Sequence, residues 1–172
     1  MTDLFREIAD APESRALTRG LWVRRVVMSL LLVVAVLALT GLFGQPGSTH
    51  AASGSKATMK LGVPDAVRGG VFFQAKVEIA AHQDVENPRL VLANGWTEGL
   101  QVNTIEPAAQ SESSRDGRLV LSYDKLAAGD RMTIWFQFQV DPTESGRRDF
   151  TIELDDAEQP VARIAHKITV FP

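Results

Sequence analysis

The chain contains no cysteine. Disulfides, thiol nucleophiles, cysteine-ligated metals and a lipid-modified cysteine are therefore excluded, although the compartment is not fixed by that alone. Net charge is also scarce, at -3 over 172 residues. Such a balance implies neither a nucleic-acid nor a polyanion partner. Histidine is limited to three residues, His50, His82 and His166, spread along the sequence. No GxSxG elbow, phosphate-binding loop or HExxH helix occurs. With no catalytic constellation to select, the expectation is a protein that is not an enzyme and takes no cofactor.

What the chain does have is one long apolar run. Residues 26–43, VVMSLLLVVAVLALTGLF, are interrupted only by Ser29 and Thr40. As a helix rising about 1.5 Å per residue, this run spans roughly 27 Å, close to the hydrocarbon thickness of a bilayer. Trp22 suits the membrane interface, and Arg24 and Arg25 can reach headgroups. Arg15, Arg19, Arg24 and Arg25 precede the run, whereas the first lysine or arginine after it is Lys56. That asymmetry predicts a cytoplasmic N-terminus in the cell (inner) membrane and an extracytoplasmic C-terminal part. A cleaved signal peptide is the competing reading, with Thr49 and Ala51 of STHAAS at the -3 and -1 positions. Thr40 and Gly44 form one small-xxx-small pair, a spacing that chance readily produces in such a helix. Ahead of the run, TDLFREIADAP reads as a short helix ended by Pro12.

The expected organisation is a cytoplasmic tail at 1–25, a transmembrane helix at 26–43, a flexible Gly/Ser-rich linker at 44–56 and a β-domain at 57–172. Beyond the linker, helical periodicity gives way to short period-2 runs separated by turn signals. The clearest is RMTIWFQFQV at 131–140. Met132, Ile134, Phe136, Phe138 and Val140 fall on one side, and Arg131, Thr133, Trp135, Gln137 and Gln139 on the other. A slip of one residue would move the whole apolar set into water, so the register is strongly specified. In VFFQAKVEIAA, Val71, Phe73, Ala75, Val77 and Ile79 are expected inward. In all, about eight strands are expected, which two facing sheets would bury. VPDAVRGG, NGWTEG and EPAAQSESSRDG read as turns or loops.

Two segments carry a resemblance. LAAGDRMTIWFQFQVDPTESG is similar to the L-x-x-G-[DE] turn and alternating strand of bacterial immunoglobulin-like domains, the DUF11-type repeats among them. NPRLVLANGWTEGLQVNTIEP resembles the earlier part of such domains. The resemblance covers about residues 70–142 and implies an all-β fold, an immunoglobulin-like antiparallel β-sandwich after one transmembrane helix. It also implies an extracellular adhesion, stalk or interaction role, with no catalytic residues to carry over.

Metal sets are weakly indicated. His82, Asp84 and Glu86 alternate in a loop, where solvated side chains are the simpler reading. Asp155, Asp156 and Glu158 lack the spacing and glycine of a calcium loop. His166 reads as a partly buried structural histidine, and no metal ligands are selected. The candidate contact residues are instead Trp96, between glycines in an expected turn, and Trp135, on the polar face of its strand. The expected function is a non-catalytic, single-pass accessory subunit presenting its β-domain to a membrane-protein partner. A module binding cell-envelope carbohydrate polymer is the alternative.

Overall fold

The computed structural model describes residues 12–39 and 47–172, with the side chains of the N-terminal helix from Gly20 onward. Helix α1 spans Pro12–Leu39. Within it Gly20–Leu39, 20 residues with mean hydropathy 2.2, is long and apolar enough to cross a membrane, and none of it is buried. A membrane anchor and a signal sequence share that description. The expected span at 26–43 begins inside α1, which is helical well ahead of it. Its last residues, with the Thr40/Gly44 pair and the short helix expected before Pro12, lie outside the described residues.

The second unit of the chain is mostly β. Its strands, in chain order, are β1 (Gly47–Ser53), β2 (Ala57–Pro64), β3 (Ala66–Arg68), β4 (Phe72–Ala81), β5 (Pro88–Leu92), β6 (Leu100–Glu106) and β7 (Ser111–Arg115), then β8 (Arg118–Ser122), β9 (Arg131–Val140), β10 (Gly146–Asp149), β11 (Ile152–Asp156), β12 (Gln159–Ile164) and β13 (Lys167–Phe171). They form two five-stranded sheets, β1-β2-β4-β9-β6 and β12-β11-β5-β8-β7, and a three-stranded sheet, β10-β13-β3. Every ladder is antiparallel except β13 with β3.

The inward faces share one core. Met59, Leu61, Phe73, Val77, Ile79, Ile134, Phe136 and Phe138 from the first sheet join Leu90, Leu92, Leu121, Ile152 and Leu154 from the second. On β9 the expected alternation holds: Ile134, Phe136, Phe138 and Val140 are fully buried. Each contributes roughly 1.5–3 kcal/mol of gross burial energy, most of it offset by chain entropy. Val71, expected inward, precedes β4 and is exposed.

The segment 44–56, expected to be a flexible linker, is not one from Gly47 onward. Residues 47–53 pair with β2 in unbroken register, from Gly47 opposite Pro64 to Ser53 opposite Thr58. Ser48, His50 and Ala52 are half-buried while their neighbours are exposed. An edge strand needs only its backbone ladder and one partly covered face, so small residues suffice and no apolar alternation announces it. At the following turn a Cβ on Gly54 would lie 1.6 Å from the Val161 carbonyl oxygen, so glycine alone permits this approach to β12.

Two further loops are also strands. Residues 106–117, expected as a polar loop, contain β7, which pairs with β8 through Asp116 and Gly117 at φ 54° and 76°. Positive φ at both central residues marks a two-residue hairpin turn of the kind Asp-Gly favours. VPDAVRGG contains β3. The final expected strand divides at His166: β12 pairs with β11, and β13 moves into the three-stranded sheet.

Candidate functional surface

The two tryptophans occupy opposite environments. Trp96 ends a 3-10 turn at Asn94–Trp96 and is 0% exposed. Its ring stacks on Phe150 at 4.7 Å and meets Phe136 and Phe138 edge-on at 5.1 and 5.9 Å. Its indole Nε1–H donates to the Thr151 carbonyl at 3.1 Å, giving the one polar atom of the ring a partner inside the core. Gly95 makes the insertion possible, since a Cβ there would lie 2.4 Å from the backbone nitrogen and oxygen of Asp149. Trp96 is therefore a core residue and offers no surface to a partner, contrary to the sequence expectation. A glycine-flanked tryptophan reads as a turn, but here the absent side chain admits a neighbouring strand.

Trp135 lies on the outward face of the first sheet and is 42% exposed. Its cross-strand neighbours are Lys76 on β4 and Glu106 on β6. The Lys76 ammonium lies 4.9 Å from the ring centroid, a weak attraction at an exposed site. The same ammonium pairs with Glu78 at 2.5 Å. That hydrogen bond, followed by the direct charge attraction, holds the Glu78 carboxyl below its ordinary range. Along the same face, Gln74 sits opposite Gln137 and Phe72 opposite Gln139. Phe72, which the sequence reading did not single out, is 64% exposed. Its signal was adjacent to Phe73: in a strand two consecutive phenylalanines cannot both face the core. The surface thus carries two exposed aromatics, offset by about four residues along adjacent strands, with glutamines on the Phe72 side and the charges of Lys76, Glu78 and Glu106 beside Trp135.

The acidic clusters do not converge as ligand sets. Asp84 and Glu86 both take Lys125, at 3.0 and 2.7 Å, while His82 Nε2 lies 3.3 Å from the Thr58 hydroxyl. Asp155 pairs with Arg115 at 3.4 Å. Asp156 accepts the Lys56 ammonium at 2.5 Å and the Asn87 N–H at 2.8 Å. Burial raises the Asp156 carboxyl pKa, but those two donors outweigh it and leave the group below its ordinary 3.8.

A constellation that the sequence reading missed lies elsewhere. His50 on β1, Asp65 between β2 and β3, and His166 between β12 and β13 bring one donor atom each within 4.8 Å of one another. The imidazole centroids lie 4.2 Å apart, with the ring planes tilted by 35°. The Ser48 hydroxyl lies 2.6 Å from Asp65 Oδ1 and 2.8 Å from His50 Nε2. Burial first, then the adjacent His50, hold the His166 imidazole below its ordinary 6.5, against the pull of Asp65. This is not a Ser-His-Asp triad: Asp65 approaches the serine hydroxyl, whereas a triad carboxylate orients the histidine from its other ring nitrogen. No sequence signal links these residues, because they belong to separate strands.

No protein-family model matches the chain, so the DUF11-type resemblance finds no family to rest on, and no curated protein matches it. Among solved structures it is similar to the CARDB domain of a Pyrococcus furiosus protein, determined in solution by NMR. The identity is 14%, the match covers 67% of this chain and 94% of that one, and the TM-score is 0.45.

Proposed function

We propose that this protein is a non-catalytic, single-pass membrane subunit that presents an immunoglobulin-like, extracytoplasmic β-sandwich to a membrane-protein partner through the Trp135 face. The observation that carries the reading is Trp135 itself: a large aromatic left 42% exposed in an ordered strand, between Thr133 and Gln137 along its own face and between Lys76 and Glu106 across the ladders. Exposed aromatics of this kind gain most when a partner desolvates them. Anchoring is supported by Gly20–Leu39, whose length and hydropathy suit a bilayer. It is also supported by β1, because the STHAAS cleavage motif at 48–53 lies inside that paired strand and cleavage there would cut through a ladder. A cytoplasmic N-terminus is supported by Arg15 and Arg19 before the span and Arg24 and Arg25 in its first turns, against Lys56 as the first basic residue after it.

The carbohydrate-binding alternative keeps one supporting observation, the presence of Phe72 on the same glutamine-bearing face as Trp135. One experiment separates the readings. Full-length protein is recovered from membranes in mild detergent, as wild type and as Trp135→Ala, and its copurifying membrane proteins are quantified. Loss of one stoichiometric partner by about tenfold or more in the variant is the expected result, in line with a contact worth roughly 2 kcal/mol. Undiminished capture, or retention on insoluble cell-envelope polymer that depends on Trp135 and Phe72, sinks the proposal.

A further inference from the structure

We propose that His50, Asp65 and His166 form a binding site for one divalent transition-metal ion, zinc in the first instance, which clips the first strand of the β-domain to the β2–β3 corner and the β12–β13 connection. Two imidazoles and one carboxylate are the ligand types of borderline ions such as zinc, nickel and copper. In a tetrahedral zinc site with bonds near 2.0–2.1 Å, neighbouring donor atoms stand about 3.3–3.4 Å apart. His166 Nε2 already lies 3.4 Å from Asp65 Oδ1, and His50 Nε2 lies 3.9 Å from it. The two histidine–aspartate spacings are thus within roughly half an ångström of closure, and the three donors together lie within 4.8 Å, so small movements of the exposed aspartate and of the two tilted rings would complete the set. The Ser48 hydroxyl, already beside both His50 and Asp65, or a water would complete the fourth position.

Two independent observations favour a ligand over a fortuitous cluster. The first is an orphan. The His166 side chain is only 9% exposed, and its Nε2 is buried with no hydrogen-bond partner, its 3.4 Å approach to Asp65 lacking hydrogen-bond geometry. Buried polar atoms without a partner are uncommon and costly, and a metal bond would satisfy this one. The second is preorganisation. The Asp65 carbonyl accepts the Thr169 N–H at 2.9 Å, the His166 carbonyl accepts the Phe150 N–H at 2.9 Å, and His50 is held opposite Leu61 in the β1–β2 ladder. Each ligand thus sits on backbone fixed by a different pairing, as a precise site requires. Two of the chain's three histidines meet here, and the third, His82, lies by Thr58 outside the cluster. A bound ion would join an edge strand, the β2–β3 corner and the β12–β13 connection, making a structural clip with one position open to solvent.

The test uses untagged full-length chain in detergent, stripped with a chelator and then titrated with zinc by calorimetry and with cobalt by visible absorption. The expected result is saturation near one equivalent, cobalt bands of low-symmetry nitrogen and oxygen coordination, and a thermal midpoint that rises with zinc. His50→Gln, Asp65→Asn and His166→Gln should each weaken zinc binding by at least the roughly tenfold that loss of a mere supporting partner costs, and His82→Gln should not. If the buried His166→Gln variant fails to fold, the more accessible pair His50→Gln and Asp65→Asn decides the matter. Absence of saturable binding by the wild type overturns the proposal, as does binding lost equally in His82→Gln or retained in both His50→Gln and Asp65→Asn.

Discussion

Trp96, beside a glycine in an expected turn, and Trp135, on the polar face of its strand, both read as surface aromatics, yet one closes the core and the other leaves it. The difference lies in what surrounds each backbone. Trp135 sits in the middle of a regular strand whose alternation assigns the other parity to Ile134, Phe136 and Phe138, so it must face outward. Trp96 follows a glycine over which the Asp149 backbone passes, and the turn tips the indole between Phe136, Phe138 and Phe150. Strand parity is a local property; the direction of a side chain in a turn depends on whichever segment arrives to cover it.

The contrast is broken most directly by removing the buried ring. Trp96→Ala should destabilise the β-domain by about 3–5 kcal/mol, the range for a large-to-small change in a core. It also removes one of the two donors to the Thr151 carbonyl, which keeps the Ala93 N–H, so denaturant melts of the detergent-solubilised chain should show it among the worst single substitutions. Phe136→Ala should fall in the same range of about 3–5 kcal/mol, with the lost area but no lost hydrogen bond. If either change proves neutral in equilibrium melts, the core assignment on that side of the β-domain is wrong.

A smaller effect should appear in acid. Because the Asp156 pKa is held below 3.8 in the folded state, the unfolded state binds the proton more readily. The stability it contributes is therefore present above pH 3.8 and is lost as pH falls through the folded value. An acid titration followed by tryptophan fluorescence should steepen in that window, and Asp156→Asn should flatten it. Equal slopes for the two proteins would show that the Lys56 pair adds nothing to acid stability.

The smallest stability effects belong to the outward face. Trp135→Ala should shift unfolding by no more than about 0.5 kcal/mol, as should Gln137→Ala, because neither side chain is removed from a packed interior. What sharpens the comparison with Trp96 is the second readout: Trp135→Ala should lower partner capture where Gln137→Ala does not. A large fall in thermal midpoint for Trp135→Ala with normal capture would place the contact elsewhere.

Much of the β-domain was legible because a buried strand writes its exposure into every second residue. RMTIWFQFQV could be assigned inner and outer faces unaided, and the apolar length of α1 needed only counting. The edge strands were hidden for the converse reason. β1 is built from Gly, Ser, Thr, His and Ala, and β7 from Ser, Glu and Arg that remain exposed. Their stability comes from ladder bonds that any residue except proline can make, so composition suggests a linker or a loop. For β7 the Asp116-Gly117 pair was a usable signal, since few other turns need positive φ at two successive residues.

The sequence by itself thus determined that the chain joins one bilayer-length apolar helix to a β-rich unit, and which side of β9 is wet. Both follow from near-neighbour chemistry, the hydrophobic period and the length of a run. Only the tertiary structure decided that Trp96 is inside, that residues 47–53 are a strand, and that His50 meets His166 across Asp65. Each of these depends on which distant backbone lies alongside, and a pairing between segments far apart in the chain leaves no mark on either segment alone.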